Sequence, residues 1–232
     1  MDIVLLLLLS VLPGFLIVLY IYWRDRHNSE PLWYLSWCFI FGMISTYPAL
    51  QMELFGMRDL GIYGTAKDPF VTFTFAFAVI SLSEEFAKYL FIRYYIFPKK
   101  VFDEPMDGIV YAIMVGMGFA TLENILYVVI RPEDMTTAFR IGWLRMLTAV
   151  PGHAIFAVVM GYFIGRAKFV TQGQAWLLWT GLCSAVLLHG LYDYFIFMRL
   201  REAFVLYFLL IGLAIAFLLL KKHSEYIPTR GD

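Results

Sequence analysis

Glu84, Glu85 and Lys88 stand together inside an otherwise apolar run, within Ser81-Leu82-Ser83-Glu84-Glu85-Phe86-Ala87-Lys88. Farther along come Glu123-Asn124, then His153 just after Pro151-Gly152, then His189 and Asp193 within His189-Gly-Leu-Tyr-Asp193. Paired carboxylates and two imidazoles are the ingredients for activating water. A carboxylate held out of bulk water, or beside a second one, can be tuned to exchange a proton near neutral pH. Lys88 lies four residues after Glu84 and three after Glu85, so on a helix it can pair with either. His189 and Asp193 are also four apart, a spacing at which the carboxylate can orient the imidazole and stabilise its charged form. The chemistry these residues suit is hydrolysis: Glu84 or Glu85 activates water, and His189 stabilises the oxyanion or protonates the leaving amine. Successive helical residues lie about 100° apart, so only one of the two glutamates is expected to point squarely at the site. His153 and Asn124 would complete the pocket.

Metal binding is left open by the residues. His153, His189, Glu123 and Glu85 could supply the three protein ligands of a catalytic zinc site. No His-Glu-x-x-His or comparable local signature is present, so such ligands would have to meet across helices. Each piece also has a plainer reading: Glu84 with Lys88 as a structural ion pair, a membrane histidine as an interhelical hydrogen bonder, Glu123-Asn124 as polar glue between helices.

The elements that must position these groups are membrane helices. The 232 residues are 61% hydrophobic and 16% charged, with a mean hydropathy of +0.73, far from a soluble domain. Eighteen Lys and Arg balance eighteen Asp and Glu, which gives no basic surface for nucleic acid. Apolar windows predict seven helices at roughly 3–23, 32–51, 70–97, 107–130, 142–165, 174–197 and 203–220. Between them lie short polar loops, and the first window is too long for a signal-peptide core. Only helices or closed barrels cross lipid, and segments of this length are helices. The expected fold is an all-α polytopic bundle of about seven transmembrane helices, one membrane-embedded unit over residues 1–232 with its functional core at 70–197. Cys38 and Cys183 fall in apolar segments and read as packing residues.

Ionisable groups inside a bilayer are costly and mark function. Here they occupy spans three to six. Residues four apart share a helix face, which gives the stripes Ala112-Gly116-Ala120-Asn124, His153-Ala157-Gly161-Gly165 and Gly181-Ala185-His189-Asp193. In each, the polar residue shares the small face through which membrane helices approach closely, so the polar groups should converge inside the bundle. Lys and Arg near span ends favour an outside N-terminus and a cytoplasmic C-terminus. Arg24, Arg26, Arg93, Lys99, Lys100, Arg166, Lys168, Lys221, Lys222 and Arg230 then lie inside, against Arg58, Lys67, Arg131, Arg140, Arg145, Arg199 and Arg201 outside. In that orientation Glu84 and Glu85 are near mid-membrane. Glu123, Asn124, His189 and Asp193 are in the outer half.

Taken together, Glu84-Glu85-Phe-Ala-Lys88, Glu123-Asn124, the His153 span and His189-x-x-x-Asp193 resemble the PrsW family of bacterial membrane proteases. That family is similar in turn to the CAAX prenyl endopeptidase and bacteriocin-processing superfamily. The resemblance implies site-1 cleavage of a membrane-anchored anti-sigma factor, a single-span protein, on its extracytoplasmic side during stress signalling. It maps the family's paired glutamates to Glu84 and Glu85, its lysine to Lys88 and its later essential histidine to His189. This chain departs from the wider superfamily in having Lys88 three residues after the pair, where an arginine four after it is usual, and Glu123-Asn124 in place of a Phe-x-x-x-His. The resemblance permits either a metal-dependent or a metal-independent glutamate mechanism. The rival reading from the residues alone is a proton-coupled transporter with Glu84, Glu85, His153 and His189 as its relay, although no inverted repeat is evident.

Overall fold

The computed structural model describes residues 3–26, 28–64, 67–130, 132, 134–200 and 202–224, and the regular structure among them is entirely helical. Of the charges used to orient the chain, Arg131, Arg201 and Arg230 lie outside the described residues. Among the described residues eight helices occur in chain order: α1 (Ile3–Arg24), α2 (Leu32–Arg58), α3 (Pro69–Ile96), α4 (Pro105–Ile130), α5 (Met135–Leu147), α6 (Ala149–Lys168), α7 (Gln174–Phe197) and α8 (Glu202–Ser224). Six stretches of the described residues are long and apolar enough to cross a membrane: α1, α3, α4, α5 with α6, α7 and most of α8. The chain is therefore a multi-pass membrane bundle. The seventh expected span is α2, which has 27 residues and runs past 51 to Arg58. Ser36, Ser45, Thr46, Gln51 and Glu53 interrupt its apolar run.

At the centre stands α4, in which every residue from Pro105 to Thr121 is buried. A helix that is apolar all round has to be enclosed on all sides. It is enclosed chiefly by α2 and α6, and the approach is close enough to require glycine. A Cβ on Gly118 would fall 2.0 Å from the Phe39 carbonyl oxygen of α2, and one on Gly161 of α6 would fall 2.3 Å from the Gly108 carbonyl oxygen. The expected small faces do meet. A Cβ on Gly116 would sit 3.0 Å from that of Ala157, and one on Gly181 of α7 would sit 3.0 Å from the Met160 carbonyl oxygen. The outward surfaces of α1 and α8 carry exposed Leu8, Phe15, Leu16, Leu206, Ile211 and Leu218, as a hydrocarbon environment demands.

Two local features shape the site. The single span expected at 142–165 is two helices. The chain breaks at Thr148, with φ −123° and ψ −58°, and Pro151 falls in the first turn of α6. Proline has no N–H to continue a helix from α5, but in a first turn that N–H would have no intrahelical partner anyway. The break lets α5 depart from the axis of α6, and helix resumes already at Met135 in what the sequence suggests is loop. The second feature is in α3, where π-helical turns at Phe75–Ser81 and Ile92–Ile96 bracket the α-helical turns carrying Glu84, Glu85 and Lys88. Their i→i+5 bonds are explicit, from Leu82 N–H to the Phe77 carbonyl and from Phe97 N–H to the Ile92 carbonyl (3.0 Å). Such turns shift the angular register of the helix beyond them and concentrate at functional sites.

Candidate active site

Lys88 is the hub. Its Nζ donates to Glu85 Oε1 at 2.7 Å, to Glu84 Oε2 at 3.4 Å and to His153 Nδ1 at 3.3 Å, and it lies 4.0 Å from the centre of the Phe119 ring. Both glutamates are thus brought to one point, although adjacent helical positions diverge. The lysine one turn on lies between the two side chains and gathers both, so the expectation that only one could face the site is corrected. All three groups are at most 4% exposed.

Each histidine is held by a carboxylate on one ring nitrogen and turns the other toward the Lys88 cluster. His153 accepts from Lys88 at Nδ1, so its Nε2 carries the proton donated to Glu123 Oε2 at 2.9 Å. His189 donates from Nδ1 to Glu85 Oε1 at 2.9 Å and turns Nε2 toward Glu84 Oε2 at 3.9 Å and Asp193 Oδ2 at 3.4 Å. The rings meet edge to face with centroids 5.3 Å apart, and Phe156 stacks on His189 at 4.8 Å. These contacts fix the imidazoles in orientation as well as position. Asp193 Oδ2 and Asn124 Nδ2 are buried without a hydrogen-bond partner, so the cluster keeps polar capacity that a substrate or water can fill.

By sequence Arg145 counts among the outer charges near the span ends; the structure puts it in the cluster. Its Nη2 donates to Glu123 Oε2 at 2.6 Å and its Nε to Asn124 Oδ1 at 2.7 Å, while its guanidinium lies over the Tyr127 ring at 4.4 Å. The available signal was its position inside an apolar window, three residues before Thr148. From the last turn of α5, just before the break, it reaches across to α4. Tyr192, whose hydroxyl donates to Thr148 Oγ1 at 3.0 Å, ties α7 to the same break.

Glu84, Glu85, His153 and His189 each offer a donor atom within 4.8 Å of the others. Glu123 lies outside this set, being engaged by Arg145 and His153. Two imidazoles and two carboxylates fit a zinc-like ion in kind, and Lys88 Nζ stands among three of them. Glu123, on the far nitrogen of His153, is the outer support such a ligand commonly has.

The model of the PrsW family intramembrane metalloproteases matches residues 30–220. The chain belongs to the PrsW family. Among curated relatives named Protease PrsW, that of Geobacillus kaustophilus is 34% identical over 83% of this chain and 80% of its own. Those of Bacillus subtilis and Clostridioides difficile are 32% and 30% identical, over 80% and 87% of this chain and 79% and 83% of theirs. No solved structure matches significantly. PrsW membership makes this chain a membrane protease that acts on membrane protein substrates, and it displaces the transporter reading of the same buried cluster. The match also covers all of the elements that bring the Glu and His residues together, from α2 to most of α8.

Proposed function

We propose that the chain is an intramembrane endopeptidase in which Glu84 is the general base, Glu85 and Asp193 position His189, and His189 is the general acid. The observation that carries this reading is the unequal engagement of the paired glutamates. Glu85 Oε1 already accepts from Lys88 and His189, whereas Glu84 Oε2 is only loosely held by Lys88 and stands 3.9 Å from His189 Nε2. A water molecule can bridge groups at that separation. Glu84 takes a proton from the water as its oxygen attacks the peptide carbonyl carbon. Lys88, with His153 fixed behind it, supplies positive charge for the developing oxyanion. Glu84 passes that proton to His189 Nε2, whose Nδ1–H stays on Glu85, and the resulting imidazolium delivers it to the amine nitrogen as the C–N bond breaks, leaving a free acid and a free amine. A divalent metal ion held by Glu84, Glu85, His153 and His189 would add Lewis-acid polarisation of the carbonyl.

The substrate we infer is a single-span membrane-anchored anti-sigma factor, cut at site 1 on its extracytoplasmic side. Charge asymmetry supports an outside N-terminus, which sets the cluster nearer the outer ends of α4 and α7. A cavity of about 420 Å³ between α2 and α3 is lined by Met52, Phe55, Ile62, Val79 and Ser83, and Ser83 directly precedes Glu84. Its apolar wall suits the segment of a substrate entering from lipid. The test is cleavage of such a substrate by the purified chain in vesicles, with and without chelator, and then sequencing of the products. A cut at the outer edge of the substrate's span supports the reading, and a cut at its cytoplasmic edge contradicts it. Activity that the chelator removes and zinc restores assigns the metal to the mechanism.

A further inference from the structure

A second buried carboxylate cluster lies at the other end of α4. Asp107 is sixteen residues before Glu123, about 24 Å along the helix. Oxygens of Glu30, Asp103 and Asp107 come within 4.8 Å of one another, with Asp25 and Glu104 alongside. The chain has already organised part of this group. Asp107 Oδ2 accepts the backbone N–H groups of Asp103 at 2.7 Å and Glu104 at 2.8 Å, and the Tyr111 hydroxyl donates to Glu30 Oε2. Asn28 Nδ2 also reaches Asp103 Oδ1 at 3.4 Å, but two buried oxygens are left over. Asp107 is fully buried, yet its Oδ1 has no hydrogen-bond partner, and neither has Oδ2 of Asp25, which is 6% exposed.

Buried acceptors that face other acceptors need a proton or a cation between them. Burial together with Glu104 and Glu30 pushes the Asp25 carboxyl up to about 7, and burial likewise raises Glu30 and Glu104, so the carboxylates crowd one another. Lys168, a cation within electrostatic reach of Asp107, has its ammonium on the carbonyl oxygens of Phe97 and Lys99.

We propose that Glu30, Asp103 and Asp107 form a binding site for a hard divalent cation, separate from the Glu/His cluster. The donors are all oxygen, as Ca²⁺ and Mg²⁺ require, and opposite oxygens around Ca²⁺ stand about 4.6–5.2 Å apart. Three carboxylate oxygens within 4.8 Å of one another can reach one ion between them. Asp103 is exposed, which gives the ion a route in. The bound cation ties the connection between α1 and α2 to the one between α3 and α4, fixing both against the buried start of α4.

The test is calorimetric titration of Ca²⁺ and Mg²⁺ into the purified full chain, with thermal unfolding at each concentration. The wild type should show one saturable site and a cation-dependent rise in unfolding temperature. Asp103→Asn, an exposed change that leaves the Asp107 cap intact, should weaken binding at least about ten-fold, and Glu30→Gln should do the same. His189→Ala should bind as the wild type does, which separates this site from the catalytic one. No saturable binding by the wild type up to about 10 mM, beyond the weakest protein Ca²⁺ sites, overturns the proposal. So does binding that survives both carboxylate changes, or binding lost in His189→Ala.

Discussion

Glu123 and Asp107 sit near opposite ends of the same helix, and both are carboxylates inside a membrane protein. Their surroundings differ in one respect. Around Glu123 the chain supplies its own partners, with the Arg145 cation at 2.6 Å, the neutral His153 donating at 2.9 Å and the Lys88 cation drawing in Glu84 and Glu85. Around Asp107 the polar partners are two backbone amides, while a tyrosine holds Glu30, and carboxylates face one another. A buried negative charge can be compensated covalently, by a neighbouring side chain, or exchangeably, by a proton or an ion. The first solution fixes a rigid site for chemistry. The second leaves the site dependent on what the surrounding solution offers.

Substitutions at the two ends should separate these solutions. The largest effect belongs to Lys88→Met, which strands Glu84 and Glu85 without their shared cation. Breaking a buried pair from one side costs about 3–5 kcal/mol, so unfolding in detergent should come about 10 °C earlier, and added Ca²⁺ should not restore it. An unchanged unfolding temperature would mean that the cluster is not held together as described. Arg145→Gln comes next, because the guanidinium is partly exposed and His153 still donates to Glu123. A loss of about 2 kcal/mol is expected, read in the same unfolding experiment. At the other end, Tyr111→Phe removes the donor to Glu30 and should cost about 1–2 kcal/mol without divalent cation. Millimolar Ca²⁺ should recover part of it, a rescue that no substitution in the Lys88 cluster should show. Smallest is Asp103→Asn, within about 0.5 kcal/mol of the wild type in chelator, with its cleavage rate unchanged.

Much of the first end was legible in the sequence. Glu84, Glu85, His153 and His189 announced themselves because a charged or polar group in an apolar run is expensive, and the i,i+4 stripes showed which faces they share. That argument depends only on helical period, so it survived even where boundaries moved. Arg145 escaped it. The window at 142–165 reads as one helix, and on one continuous helix Arg145 and His153 would keep a fixed spacing along a common axis. That Arg145 and His153 both reach Glu123 is a tertiary contact with α4, which the period of their own helix does not encode. The π turns of α3 were equally hidden, since Phe75–Ser81 has the composition of any apolar helix and only its hydrogen-bond pattern is unusual. The second cluster was missed for another reason. Asp25, Glu30, Asp103 and Glu104 fall in loops, where acidic residues are ordinary, and Asp107 opens a helix, where a carboxylate is a common cap. Their burial against one another comes from the packing of two distant connections onto α4, which no local pattern encodes.

The most direct measurement is single-turnover cleavage of a single-span substrate by the Glu84→Gln chain beside Glu85→Gln and the wild type, with each variant's folding verified by its unfolding temperature. The assignment of Glu84 as base predicts that Glu84→Gln, folded and able to bind substrate, cleaves at least about 10²-fold more slowly. Glu85→Gln should retain more activity, because it loses a positioning contact and keeps the base. Cleavage by Glu84→Gln at close to the wild-type rate would contradict the account.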